Sequence, residues 1–136
     1  MPYTAMTSRL YVLFCVLILS CTKEENATPD EALSTWKLAE VYIDPGDGSG
    51  TFVPADYDRE ISLYRDSIYR ASARLCGINN VRGRAIQGNY SPSQNIFFSP
   101  ECNMQTEYGY TLTDLEMIVF FFCDKGCAER YVRVWN

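Results

Sequence analysis

From residue 36 to the end, the chain is a succession of short apolar and aromatic runs, each stopped by turn-forming residues. Tyr and Phe are abundant, which suits the pleated surface of a strand. The pattern predicts strands at residues 36–43, 51–53, 59–64, 67–75, 84–90, 95–99, 106–111, 115–123 and 128–135. Short connections favour pairing of consecutive strands, and closing such a meander removes its exposed edges. The sequence therefore predicts an all-β fold, an antiparallel up-and-down β-barrel of eight or nine strands.

The segment before the strands carries a targeting pattern. Residues 10–19 are uniformly apolar, too few to cross a bilayer core of about 30 Å but suited to the apolar region of a signal peptide, with Arg9 as its positive flank. Residues 18–21, Ile-Leu-Ser-Cys, resemble the lipobox of bacterial lipoproteins. This resemblance implies acylation of Cys21 and cleavage before it. An ordinary signal peptide that happens to contain a cysteine is the alternative.

The chain accordingly divides into a lipoprotein signal peptide at 1–20, a lipidated tether with a short helical turn at 21–34, and a barrel domain at 35–136. Residues 28–31, Thr-Pro-Asp-Glu, form a helix-capping pattern that predicts the turn. Residues 22–25, Thr-Lys-Glu-Glu, resemble the signal that sends Bacteroidetes lipoproteins to the cell surface, although a solvated charged tether has the same composition. The expected location is the outer membrane, at the cell surface or on the periplasmic face.

Composition argues against several functions. The chain after residue 20 has eleven basic and seventeen acidic residues, a net charge of −6 without a basic stripe, so nucleic acid is not an expected partner. There is no His, which removes the usual general base and the commonest metal ligand. Carboxylates at 56, 58 and 60 fit a solvated face better than a glycosidase pair, and residues 44–50 fit a glycine-rich turn better than a calcium loop. We expect no enzyme activity, no cofactor and no metal.

Four cysteines remain after the signal peptide and Cys21 are set aside: Cys76, Cys102, Cys123 and Cys127. An even number in an exported chain predicts disulfides, whereas a Cys₄ zinc site needs paired short spacings that this chain lacks. Residues 124–126 suit a three-residue hairpin loop, which would place Cys123 opposite Cys127 and leave Cys76 to pair with Cys102. The rival connectivity joins Cys76 to Cys127 and Cys102 to Cys123.

Three blocks resemble the lipocalin-like lipoproteins common in Bacteroidetes: residues 36–52, residues 88–91 and residues 123–134. The resemblance implies a small up-and-down barrel with a short N-terminal helix, tethered by lipid. It also implies that a late basic residue, Arg130 or Arg133, stacks on Trp36. The Asp-Ser-Ile sequence at 66–68 resembles an O-glycosylation motif of exported Bacteroidetes proteins, which makes Ser67 a candidate glycan site.

Two functional hypotheses follow. The first is a non-enzymatic, lipid-anchored barrel that binds a small apolar ligand, since eight-stranded barrels either hold one ligand or fill with side chains. The second is a structural or protein-interaction module with a filled core. Residues 115–123 bear on this choice because they are apolar on both faces. Their outward side chains are covered by the protein's own segments, are covered by a partner, or remain exposed to solvent. The sequence leaves the oligomeric state undetermined.

Overall fold

The computed structural model describes residues 31–78, 83–103 and 106–135. The predicted signal peptide, Cys21 and the tether lie outside these residues. So does most of the predicted helical turn, and residues 31–33 are not helical. No helix among the residues described is long and apolar enough to cross a bilayer. Nine strands follow one another: β1 Ser34–Ile43, β2 Thr51–Pro54, β3 Glu60–Leu63, β4 Ile68–Ala71, β5 Ile86–Ser91, β6 Ile96–Phe98, β7 Glu107–Leu112, β8 Glu116–Phe121 and β9 Cys127–Val134.

The strands form one antiparallel sheet that closes on itself, as the sequence predicts. From β3 to β9 each strand pairs with its successor, and β9 pairs with β1 from Thr35–Val134 to Ile43–Cys127. Strands β2 and β3 pair with opposite halves of the same edge of β1. The barrel therefore closes through eight strands, β1 and β3 to β9, and β2 is one extra strand beside the distal half of β1.

The interruption between β2 and β3 is a short excursion of the chain at residues 55–59. It begins where the amide of Ala55 donates to the carbonyl of Ala39 at 3.0 Å, and it ends where Leu38 donates to the carbonyl of Arg59 at 2.9 Å. Because Ala39 and Leu38 are adjacent on β1, residues 56–58 lie between these two hydrogen bonds as an insertion in the register. The excursion brings Tyr57 and Arg59 to the barrel interior.

The two ends of the barrel differ. We call the end at which β1 begins the proximal end, and the opposite one the distal end. The register places short turns at the proximal end, at residues 64–67, 92–95 and 113–115. The longer connections begin and end at the distal end, and their described residues are 44–50, 72–78 with 83–85, 99–103 with 106, and 122–126.

Two predicted strands end two or more residues earlier than expected. The strand predicted at 67–75 ends at Ala71, because the following residues leave the sheet to cover the distal end, where Leu75 is fully buried. The strand predicted at 115–123 ends at Phe121. The turn between β3 and β4 is a 3₁₀ turn at Arg65–Ser67, with Asp66 in the left-handed region at φ 64°.

Trp36 occupies the barrel core near the proximal end and is 1% exposed. Its indole nitrogen donates to the hydroxyl of Ser34 at 2.8 Å. The guanidinium of Arg133 lies 5.7 Å from the centroid of the Trp36 ring. Of the two arginines considered for this stacking, Arg133 is thus the one that lies over Trp36.

Candidate functional site

The barrel interior is filled with large side chains. Phe97 packs edge-on against Tyr69, with ring centroids 5.0 Å apart, and also contacts Tyr110 at 4.6 Å. Over the residues described, the interior is therefore a packed core. Its most deeply buried members are Trp36, Arg59, Ile61, Tyr69, Leu75, Phe97, Met117, Val119, Glu129 and Tyr131.

Two of those side chains are charged and form an ion pair inside the core. One guanidinium nitrogen of Arg59, Nη1, lies 2.6 Å from both carboxylate oxygens of Glu129. Tyr57 donates its hydroxyl to Oε1 of Glu129 at 2.5 Å, and Tyr131 donates to Oε2. Nη2 of Arg59 donates to the carbonyl of Gly77 at 3.3 Å. This cluster connects the excursion at 55–59 to strand β9 and, through Gly77, to the segment after β4 that covers the distal end of the barrel.

The protonation states in this cluster follow from burial and charge. Burial, together with the negative charge of Glu129, raises the pKa of Tyr131 well above its ordinary value. Burial by itself would lower the pKa of Arg59, but Tyr131 and Glu129 outweigh it and the pKa is raised. The tyrosine therefore stays a hydrogen-bond donor and the arginine stays charged. Because Arg59 and Glu129 are sealed from solvent, the cluster is structural and offers no access to a substrate.

The outer surface at the distal end carries an apolar groove of about 310 Å³. Its floor is one row of cross-strand neighbours in which Phe52 pairs with Tyr42, Tyr42 with Ala128, and Ala128 with Phe120. The depression exists because the small Ala128 lies between Tyr42 and Phe120. We call it the aromatic groove, lined by Tyr42, Phe52, Phe120, Phe121, Gly126, Cys127 and Ala128.

The outward side chains at the end of β8 extend this groove into solvent. Phe120 is 46% exposed and Phe122 is 78% exposed. The outward set of residues 115–123 is thus left open at its distal end by the part of the chain that the structure describes. An exposed aromatic pair beside an apolar groove is a common feature of interaction surfaces.

A charged row borders the aromatic groove on its proximal side. Arg130 donates to the carboxylate of Glu40 at 2.5 Å, and its Nε lies 3.6 Å from a carboxylate oxygen of Glu116. Its guanidinium also lies 3.8 Å from the ring centroid of Phe52. The two carboxylates and the Phe52 ring therefore fix the position of the Arg130 guanidinium, so the groove has a fixed polar rim next to its apolar floor.

A second, larger groove of about 590 Å³ lies on the outer face of β5 and β6. Gly88 contributes only backbone to this groove, because an added Cβ would point inward, 2.4 Å from the carbonyl oxygen of Phe98 and 2.5 Å from the buried ring of Tyr69. Its lining residues carry no charge: Gln87, Gly88, Asn89, Phe98, Pro100 and Thr106.

The predicted disulfides are both present, Cys76 with Cys102 and Cys123 with Cys127, and the rival connectivity is wrong. The expected position of Cys123 is also wrong, because the residue opposite Cys127 is Phe121. Cys123 lies two residues beyond the end of β8, in the connection 122–126. Gly126 there has a φ of 87°, in the left-handed region that glycine adopts without steric cost.

The other predicted site residues do not come together. Cys21 lies outside the described residues. Ser67 is exposed in the 3₁₀ turn at the proximal end. In the 44–50 loop, one carboxylate oxygen of Asp44 accepts the amides of Gly46 at 2.6 Å and Gly48 at 3.2 Å. These bonds lower the pKa of Asp44 and give the carboxylate a turn-stabilising role. Over the residues described, no three His, Cys, Asp or Glu side chains cluster as metal ligands.

Sequence reasoning missed the buried pair Arg59 and Glu129. A usable signal exists for Glu129, since strand alternation places it on the inward face with Tyr131. The same signal exists for Arg59, since alternation in the strand predicted at 59–64 places it on the inward face with Ile61 and Leu63. No family model, no curated protein and no solved structure matches the chain.

Proposed function

We propose that this protein is a lipid-anchored lipoprotein of the outer membrane whose barrel is a non-enzymatic protein-interaction module. Cys21 carries the lipid, and the aromatic groove with Phe120 and Phe122 is the contact surface for a protein partner. The observation that carries this choice is the contrast between a filled interior and an open aromatic surface.

The filled interior also bears on the first hypothesis, a small apolar ligand in the barrel. Trp36, Tyr69, Phe97 and Tyr131 occupy the volume that such a ligand would need. The aromatic groove, at about 310 Å³, is at the lower limit of small-molecule sites, and it is shallow and wide open. Its geometry fits a protruding side chain of a partner protein better than an enclosed ligand.

The anchor is tested by metabolic labelling with palmitate in producing cells. Cys21→Ala should abolish the label, because the acylated thiol is gone. Cys15→Ala is the matched control, since that cysteine lies in the apolar run removed with the signal peptide, and it should label normally. A label that persists in Cys21→Ala would overturn the anchor.

Deletion of residues 23–25 should move the protein from the cell surface to the periplasm, which protease accessibility on whole cells detects.

The groove is tested by site-specific photocrosslinking in the same cells. A photoreactive phenylalanine analogue at Phe122 should give one discrete protein adduct. The analogue at Gln94, exposed in a proximal turn, should not give that adduct. Phe120→Ser should remove the adduct while lowering the free energy of unfolding by about 1 kcal/mol or less, because the side chain is half-exposed. Equal adducts at both positions would contradict the assignment. So would native mass spectrometry that finds a small apolar molecule bound and no protein adduct.

A further inference from the structure

A second exposed apolar surface lies at the proximal end of the barrel. We call it the proximal rim. Its four side chains are Leu33, Leu112, Leu115 and Trp135, which are 51%, 44%, 69% and 67% exposed. Large apolar side chains scattered singly are ordinary, but a contiguous set of this size marks a contact surface.

The register makes the rim contiguous over four neighbouring strands. Leu112 ends β7, and Leu115 lies in the turn that leads into β8. The amide of Arg133 on β9 donates to the carbonyl of Leu115 at 3.2 Å, which places the end of β9 beside that turn. Thr35 on β1 pairs with Val134, so Leu33 and Trp135 lie just beyond the last pair of the β1–β9 ladder.

The charges around the rim nearly cancel. Arg65, Asp66 and Asp114 are exposed in the proximal turns. The guanidinium of Arg133 lies 4.4 Å from the ring centroid of Trp135 and is engaged there. Glu31, two residues before Leu33, is also exposed, so the surface has no net positive charge with which to attract anionic headgroups. Its contribution to binding must come from apolar burial and the tryptophan.

We infer that the proximal rim rests in the interfacial layer of the bilayer that holds the lipid anchor. The inference relies on the anchor at Cys21 in the proposed function. Cys21 is only twelve residues before Leu33, so the extended chain between them spans at most about 40 Å. The tether joins the barrel at its proximal end, which is therefore the end nearest the anchor along the chain, and tryptophan prefers the headgroup level of a bilayer. The aromatic groove at the distal end then faces away from the lipid.

The test uses the acylated protein, purified from producing membranes and reconstituted into vesicles of phosphatidylethanolamine and phosphatidylglycerol. Some vesicles carry a nitroxide quencher near the headgroup, and others carry it deep in the acyl chain. The chain has two tryptophans, and Trp36 is buried inside the barrel. The quenching of Trp135 is therefore the difference between the wild-type protein and Trp135→Phe, measured on vesicles recovered by flotation.

We expect Trp135 emission to shift to shorter wavelength and to be quenched, more strongly by the shallow nitroxide than by the deep one. Leu112→Ser with Leu115→Ser should reduce this quenching, and Phe122→Ser at the distal end is the matched control that should not. Quenching should be unchanged by added salt, because the rim is nearly neutral. Protein that floats with the vesicles while Trp135 stays unquenched would overturn the inference and leave the anchor intact. Protein that does not float would overturn the anchor and the inference with it.

Discussion

The buried pair of Arg59 and Glu129 allows a quantitative test of what holds this barrel together. Arg59→Met leaves the Glu129 carboxylate in the core without its cation, and Glu129→Gln leaves the guanidinium with the Gly77 carbonyl but no carboxylate. Removing one member of a buried pair costs about 3–5 kcal/mol, because the other charge stays buried and uncompensated. A domain of this size has a free energy of unfolding of about 5–15 kcal/mol, so either substitution removes a large share of it.

The double variant, Arg59→Met with Glu129→Gln, buries no charge and keeps similar side-chain volumes. We expect it to be more stable than either single variant, with a coupling energy of at least about 2 kcal/mol. The assay is equilibrium urea unfolding at pH 7 of a soluble form that begins at Thr22, with disulfides intact and circular dichroism as the signal. The slope against urea concentration should stay constant across the set, which verifies that the unfolded states are comparable.

The outer ion pair between Arg130 and Glu40 supplies the matched control. Its side chains are 31% and 33% exposed, so the same double-mutant cycle there should give a coupling of less than about 1 kcal/mol. The reasoning would be refuted if the two core substitutions were additive within about 0.5 kcal/mol. It would also be refuted if the core double variant were less stable than both single variants.

Three further predictions concern the free energy of unfolding, each measured by urea unfolding. The first uses a series of pH values and the other two use pH 7. Burial raises the pKa of Tyr69 to about 12, so the native state holds this proton more tightly than the unfolded state. Stability due to Tyr69 is therefore complete below pH 10 and falls by about 2–3 kcal/mol by pH 12. Tyr69→Phe should lose that part of the alkaline slope, and an unchanged slope would contradict the assignment. Gly88→Ala should cost about 1–3 kcal/mol, because its Cβ would meet the Phe98 carbonyl and the Tyr69 ring; a neutral result would show that the sheet relaxes freely there. Replacing both cysteines of the 76–102 disulfide by Ala should cost about 3.5 kcal/mol, against about 2 for the 123–127 disulfide, since the loops close over 26 and 4 residues. The reverse order would reject the loop-entropy account.

The sequence was sufficient for the barrel because each strand is bounded by turn residues and connected to its neighbour by a short segment. All nine predicted strands are present, and the meander order follows from the connection lengths. The early end of β4 was not predictable from local pattern, because residues 72–75 have the polarity of a strand. Their position is decided by the open distal end, which Leu75 covers.

The candidate site was predictable only in part. The two-faced apolar character of residues 115–123 indicated an outward apolar surface that needs explanation, but not which side chains form it. The groove itself depends on Ala128 meeting Tyr42 and Phe120 in one row, and that alignment comes from the register of four strands. A one-residue slip would reverse which side chains face outward, so the groove could not be derived without the coordinates.

The pairing of β1 with β9 joins the first barrel strand to be synthesised with the last. Until Val134 is available, β1 and β8 both present unpaired edges to whatever surrounds the growing chain. The barrel can therefore close only after the whole chain has been made, and long-range pairings of this kind form slowly. Protection of the unfinished chain is thus a requirement of its biogenesis. A protein truncated before β9 would expose the unpaired strand edges of β1 and β8, which can pair with other chains and aggregate.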